Sequence, residues 1–253
     1  MIPVLTYHRI TDEPGPECVR PALFRRHLEY LRRSGHTPIP AARFVDCAFG
    51  GARAPHRPVL LTFDDGYEDN LHVAAGILGE FGFPAIVFVI ADWVGRTNEW
   101  DTAPGRSSAR MMGAGQLRQW AARGLEVGSH TSSHRPLDTL DEGEQWAELS
   151  GSRTRLEALL GVAVTAVAYP WGAFSEVTES LARRAGYEAG FATYRGTRPW
   201  RADRYRVHRV AVRDSWGERK LAYKTGPLYL AASTVNLVSK ELRRFRTGSR
   251  GPG

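Results

Sequence analysis

Cysteine is scarce in this 253-residue chain: only Cys18 and Cys47, with no CxxC pair. That leaves no thiolate zinc finger; two isolated cysteines neither demand nor exclude a disulfide, and both read as free thiols. No apolar run reaches the roughly eighteen residues that a membrane-spanning helix needs. The opening Met1-Ile2-Pro3-Val4-Leu5-Thr6-Tyr7-His8 has neither the basic n-region nor the long apolar h-region of a signal peptide. The expected location is therefore cytoplasmic or membrane-peripheral. Acidic residues are the minority, 27 against 34 Lys and Arg, for a net charge of +7. Such a surplus admits nucleic acid, anionic lipid or an acidic polymer as partner. The arginines are scattered, however, and zinc-finger spacing, an RNP-like aromatic motif and a basic helix feeding heptads are all missing. No nucleic-acid partner is expected.

What remains is ordinary for a globular protein: 42% hydrophobic and 24% charged residues. The length suits one large α/β domain or two small ones. With no internal repeat and no linker, one domain is the simplest account. Short apolar runs at 3–6, 59–63, 85–90, 125–128, 164–168, 188–192 and 207–212 read as strands. Most are continuous rather than alternating, as expected of parallel strands covered on both faces. Helical spacing falls between them, at 21–33, at 69–81 behind the capping pair Asp69 and Asn70, at 141–160, and at 175–185 before Gly186. Strands alternating with helices imply right-handed βαβ units and a parallel sheet or barrel. Segments 43–57 and 95–115, rich in Gly and Pro, read as surface loops bordering a site. The domain is assigned to 1–215. Residues 216–253 form a basic extension, helical and then frayed over 243–253. From Lys220 onward, apolar residues alternate with Lys240, Arg243, Arg244 and Arg246. Such a helix either packs on its own domain or makes peripheral contact with an anionic membrane.

Two polar clusters follow apolar strands. In Leu61-Thr62-Phe63-Asp64-Asp65-Gly66-Tyr67, adjacent carboxylates stand where α/β barrels place chemistry. Burying both is costly unless a cation or a proton compensates, although Asp-Gly also suits a solvated turn. In Gly128-Ser129-His130-Thr131-Ser132-Ser133-His134, two histidines four apart point the same way if the segment turns helically. Alone, they also fit a polar surface loop. Taken together, one Asp and two His make a three-ligand set with a position left open for water. A bound metal lowers the pKa of that water from about 15.7 to about 7, and the second Asp is then free to take its proton.

Thr62-Phe63-Asp64-Asp65-Gly66 and His130-Thr131-Ser132-Ser133-His134 resemble the first two motifs of the NodB-homology polysaccharide deacetylases, carbohydrate esterase family 4. The resemblance covers roughly residues 1–212. It implies a distorted, TIM-like (β/α)7 barrel and metal-dependent removal of N-acetyl groups from amino sugars in a polysaccharide or glycan precursor. It implies Asp64 as general base, and Asp65, His130 and His134 as ligands of a divalent metal. Zn2+ is the first choice; Co2+ or Ni2+ also suits a mixed N and O site. It further implies that the Tyr67 backbone N–H holds the oxyanion. The family's third motif, Arg-x-Pro-x-Gly, is matched by Ala168-Tyr169-Pro170-Trp171-Gly172, which lacks the arginine that steadies the base. Arg209 is the candidate replacement. Trp171 either stacks on a sugar face or packs in the core. The usual Leu-x-His has two incomplete counterparts. Val207-His208 is one. Leu5-Thr6-Tyr7-His8 is the other, and it is similar to the opening strand of the branch that deacetylates biofilm poly-N-acetylglucosamine, so His8 is preferred as the acid. The rival readings are an amide hydrolase of a small acetylated metabolite and a non-catalytic glycan-binding protein on the same scaffold.

Overall fold

The computed structural model describes residues 2–99, 108–193 and 203–229. Its strands are β1 Val4–Tyr7, β2 Arg9–Ile10, β3 Cys18–Val19, β4 Thr37–Pro38, β5 Pro58–Phe63, β6 Ile86–Val89, β7 Glu126–Ser129, β8 Ala166–Ala168, β9 Ala189–Ala192, β10 Val207–His208 and β11 Val210–Ala211. Its helices are α1 Pro21–Arg33, α2 Ala41–Phe49, α3 Ala75–Phe81, α4 Ala114–Ala122, α5 Glu142–Leu160, α6 Glu176–Arg184 and α7 Glu218–Thr225.

The principal sheet runs β10-β9-β8-β7-β6-β5-β1-β11, and every pairing in it is parallel. β10 and β11 are one segment interrupted at Arg209. Its first half pairs with β9 and its second half with β1, so the segment closes the sheet into a seven-stave barrel. The seven apolar runs are these staves, and the fold is the distorted (β/α)7 barrel expected.

Alternation along the staves explains the burial of both faces. Val4, Leu60, Ile86, Phe88, Ala166, Ala168, Ala189, Phe191 and Val207 point inward and form one cluster with Ala41, Phe44 and Val45. The intervening Leu5, Tyr7, Leu61, Phe63, Val87, Val89 and Val167 join the helices in a larger outer cluster. The lumen is tight. A Cβ on Gly128 would sit 2.5 Å from the Phe88 ring.

Three local expectations need correction. Segment 43–57 is not all loop: α2 occupies its first part and plugs one end of the barrel, with Phe44 5.8 Å from Phe191 between ring centroids. The helix is only nine residues long and runs directly into Gly50 and Gly51, which hid it in the sequence. The 95–115 segment is pinned by bridges Thr97–Arg110 and Tyr67–Met111, and α4 starts at Ala114; residues 100–107 lie outside the described residues. Asp69 and Asn70 do not cap their helix. Asp69 accepts from Ile10 N–H and Arg9 Nε, and Asn70 Nδ2 donates to the His8 carbonyl. The helix behind them opens with a π turn over Asn70–Ala74.

Asp141 and Ser175 do cap α5 and α6. Cys18 and Cys47 are free. Trp216 and Leu221, past residue 215, are buried in the outer cluster. Among the described residues, no helix is long and apolar enough to cross a membrane. Of the tail expected from Lys220 onward to contact a membrane, residues 230–253 lie outside the described residues.

Candidate active site

The C-terminal ends of β5, β7, β8 and β1 converge on one cavity of about 610 Å³. Asp64 and Asp65 leave β5 in a sharp turn. Asp65 (φ 69°) and Gly66 (φ 88°) are both left-handed, and this conformation costs a residue with a Cβ. The turn holds both carboxylates at the barrel mouth.

Asp64 is buried, and so is Arg209. Their contact is a two-pronged ion pair: Arg209 Nη1 donates to Asp64 Oδ1 at 2.5 Å and Nη2 to Oδ2 at 2.8 Å. The guanidinium lies over the Phe88 ring, 5.2 Å from its centroid. Burial alone would raise the Asp64 pKa; Arg209, with His130 and His8, outweighs it and holds the carboxyl at about 2. Asp64 is therefore ionised at neutral pH.

The two histidines meet without a helix. Left-handed turns at Thr131 (φ 66°) and His134 (φ 68°) fold the loop back, which replaces the helical turn expected from their spacing. Each imidazole presents Nε2 to Asp65 Oδ1, His130 at 3.6 Å and His134 at 3.5 Å. The three ligand atoms lie within 4.8 Å of one another. Glu148, on the inner face of α5, clamps the loop from beneath. It accepts from Ser132 N–H and Ser133 N–H, each at 2.9 Å, and from the Ser133 hydroxyl.

The donor set suits a divalent metal. His130 Nδ1 lies 2.7 Å from the Ala168 carbonyl, which can only accept, so the proton is on Nδ1. The Nε2 lone pair then faces Asp65, the arrangement by which imidazole ligands are oriented. Burial pushes the His130 pKa down to about 4, against the nearby Asp64, so the ring is neutral. One carboxylate and two imidazoles, that of His130 held by the Ala168 carbonyl, form an N and O site of the kind zinc accepts.

His8 and His208 both line the cavity, in different electrostatic surroundings. His8 Nε2 is 3.9 Å from Asp64 Oδ2 and 3.9 Å from Glu17 Oε1. Burial works to lower its pKa, but Glu17, Asp64 and Asp65 together raise it above the ordinary value. His208 is pushed down to about 4 by burial and by the positive charge of Lys224 and Arg209.

The third-motif residues are divided. Tyr169 lines the cavity, stacked on Phe174. Pro170 is buried in the turn and is not among the lining residues. Trp171 (φ 60°) stands 54% exposed at the rim, so it is no core residue. Its ring centroid is 5.1 Å from His134, and its Nε1 donates to the His134 carbonyl. Gly172 follows in a left-handed turn where a Cβ would come within 2.2 Å of the Thr193 carbonyl oxygen. Tyr67 is not among the lining residues either; its side chain packs with Ala109, Met111 and Trp93.

Sequence reasoning missed Glu17, Glu148 and the wall formed by Trp216, Lys224 and Tyr229. Glu148 left a faint signal: a carboxylate on the same helical face as the buried Gln145, Leu149, Ser152 and Leu156.

Comparison with known proteins identifies the family and the fold. A family model described as polysaccharide deacetylase matches residues 51–190. A Bacillus subtilis (strain 168) protein named "Putative polysaccharide deacetylase YxkH" is 26% identical over 211 residues, covering 83% of this chain and 71% of that one. The poly-beta-1,6-N-acetyl-D-glucosamine N-deacetylase of Escherichia coli (strain K12) is 31% identical over 93 residues, which are 36% of this chain and 14% of that enzyme. Among solved structures, IcaB from Ammonifex degensii superposes with a TM-score of 0.75 at 26% identity, covering 89% of this chain and 97% of that one. The Streptococcus pyogenes deacetylase PplD shares the fold, with a TM-score of 0.77 at 24% identity over 89% of this chain and 98% of that one. The chain belongs to the polysaccharide deacetylase family, the NodB-homology group of carbohydrate esterase family 4.

Proposed function

We propose that this protein is a metal-dependent hydrolase that removes N-acetyl groups from amino sugars in a polysaccharide or glycan precursor. The observation that carries the reading is the meeting, in one cavity, of a compact Asp65, His130 and His134 cluster with a separately clamped carboxylate, Asp64. A glycan-binding scaffold has no use for an ionised base beside three metal ligands.

Asp65, His130 and His134 hold the metal, with Zn2+ preferred over Co2+ and Ni2+ on donor chemistry. When bound, a divalent ion supplies Lewis acidity and lowers the pKa of water from 15.7 to about 7. Asp64 accepts the proton of the attacking water. Arg209 holds its carboxylate in one orientation and keeps it ionised, as the missing third-motif arginine would. His8, whose pKa Glu17 and Asp64 raise above the ordinary value, donates to the leaving amine. His208, held neutral at about 4, is less suited to that role. Trp171 offers an exposed aromatic face beside His134 on which a sugar ring stacks. An oxyanion role for the Tyr67 N–H rests on the family resemblance. Peripheral membrane contact by the basic C-terminal segment belongs to the same reading.

The test is acetate release from N-acetylglucosamine oligomers and from the monosaccharide, with zinc and with chelator. Chelator-sensitive release from the oligomers supports the reading. Release from the monosaccharide alone transfers the site to a small-molecule substrate, and no release from either removes the polysaccharide assignment.

A further inference from the structure

One wall of the cavity comes from residues beyond the stretch that the family model matches. Arg213, Trp216, Lys224 and Tyr229 all line it. The wall is firmly held. The Trp216 carbonyl takes a hydrogen bond from His27 Nε2 at 2.7 Å. Because a carbonyl only accepts, the His27 Nδ1 is left to accept from the Tyr7 hydroxyl at 3.2 Å, next to His8 in the chain. Helix α7 buries Leu221 and Thr225. This leaves Lys224 directed at the cavity, its Nζ 3.9 Å from the Tyr229 ring centroid and 5.9 Å from that of Trp216.

The charge on this wall is unbalanced. Arg209 is taken up by Asp64, but among the described residues no carboxylate pairs with Lys224 or Arg213. Burial also pushes the Lys224 pKa below the ordinary lysine value, a cost that an anion alongside would relieve. Aromatic faces beside a cation suit a sugar ring that carries an acid: the rings cover its C–H face and the ammonium pairs with the charge.

We propose that Lys224, Trp216 and Tyr229 form a subsite for a carboxylate-bearing sugar unit next to the acetylated one, so that the preferred chain is acidic. The inference rests on reading the cavity as a saccharide site. The test is calorimetric binding to the full-length, zinc-loaded His8→Gln protein, which removes the proposed acid to stop turnover and leaves the Asp64–Arg209 pair intact. The two ligands are an N-acetylglucosamine tetramer and a tetramer alternating N-acetylglucosamine with glucuronate. The acidic tetramer binds about tenfold tighter at low salt. That preference shrinks with added salt, falls toward unity in Lys224→Gln and returns in Lys224→Arg. Equal affinity for both tetramers, no binding of the acidic one, or a preference unchanged in Lys224→Gln overturns the proposal. Acetate release by the wild-type protein is measured in parallel. A preference without release keeps the subsite and removes the deacetylase reading; release without a preference does the reverse.

Discussion

Arg209 and Asp64 are both almost wholly buried, and each is stable there because of the other. Removing one partner of such a pair leaves an uncompensated charge, at a typical cost of about 3–5 kcal/mol. Arg209→Met is therefore expected to lower unfolding stability by about that amount in urea titrations, and Arg209→Met with Asp64→Asn to recover much of it. Equal stability of wild type and Arg209→Met contradicts the pairing. The Asp64 carboxyl sits at about 2 rather than 3.8. The pair's contribution is thus complete above the ordinary carboxyl value and is lost as the pH falls toward 2, where the stability gap between wild type and Asp64→Asn narrows. His8 is shifted the other way. Its protonated form persists above its ordinary pKa and disappears as the pH rises, so activity should fall on the alkaline side. Glu17→Gln removes the largest charge raising that pKa and moves the alkaline limb of kcat/KM to lower pH. A limb that stays in place excludes His8 as the group that titrates there. Motif and strand position marked Asp64, Asp65, His130, His134 and His8 for attention. Glu17 carried no such mark, because its relation to His8 depends on how the chain folds back after β2.

The loop between β7 and α5 is not rigid by its own propensities; two of its residues adopt left-handed conformations that side chains disfavour. Glu148 supplies what the loop lacks, an acceptor for two backbone N–H groups and one hydroxyl. Glu148→Ala should weaken zinc binding by about 10- to 100-fold, measured by competition with a chromophoric chelator, as loss of a supporting hydrogen bond typically does. Unchanged affinity would mean that the loop holds its shape unaided. At this scale the sequence was only partly legible. The long α5, with Asp141 at its cap and apolar residues at helical spacing, is plain from the pattern. The π turn at Asn70–Ala74 is not. Asp69 and Asn70 look like helix caps, but tertiary hydrogen bonds to Arg9, Ile10 and His8 draw their side chains away.

Over the whole molecule, closure of the barrel brings together residues that are far apart in the chain. Segment 207–212 lies between β9 and β1, so Arg209 reaches Asp64 across 145 positions. The seven apolar runs pointed to a parallel sheet or barrel, because parallel strands buried on both faces need no polar alternation, and the family resemblance implied the closed ring. The break at Arg209 did not show, since one arginine in an apolar run resembles an edge position. Plugging by α2 was hidden for a related reason: its role is set by the open end of a barrel rather than by its own periodicity. The wall contributed by Trp216, Lys224 and Tyr229 extends the site past the boundary drawn at residue 215.

The central claim separates metal holding from proton transfer, and both can be read in the same samples. We would measure bound zinc per chain and acetate release from N-acetylglucosamine oligomers for wild type, Asp65→Ala and Asp64→Asn. The account predicts zinc and release in wild type, loss of both in Asp65→Ala, and zinc retained without release in Asp64→Asn. Release that survives in Asp64→Asn, or zinc that stays bound with unchanged affinity in Asp65→Ala, would contradict it.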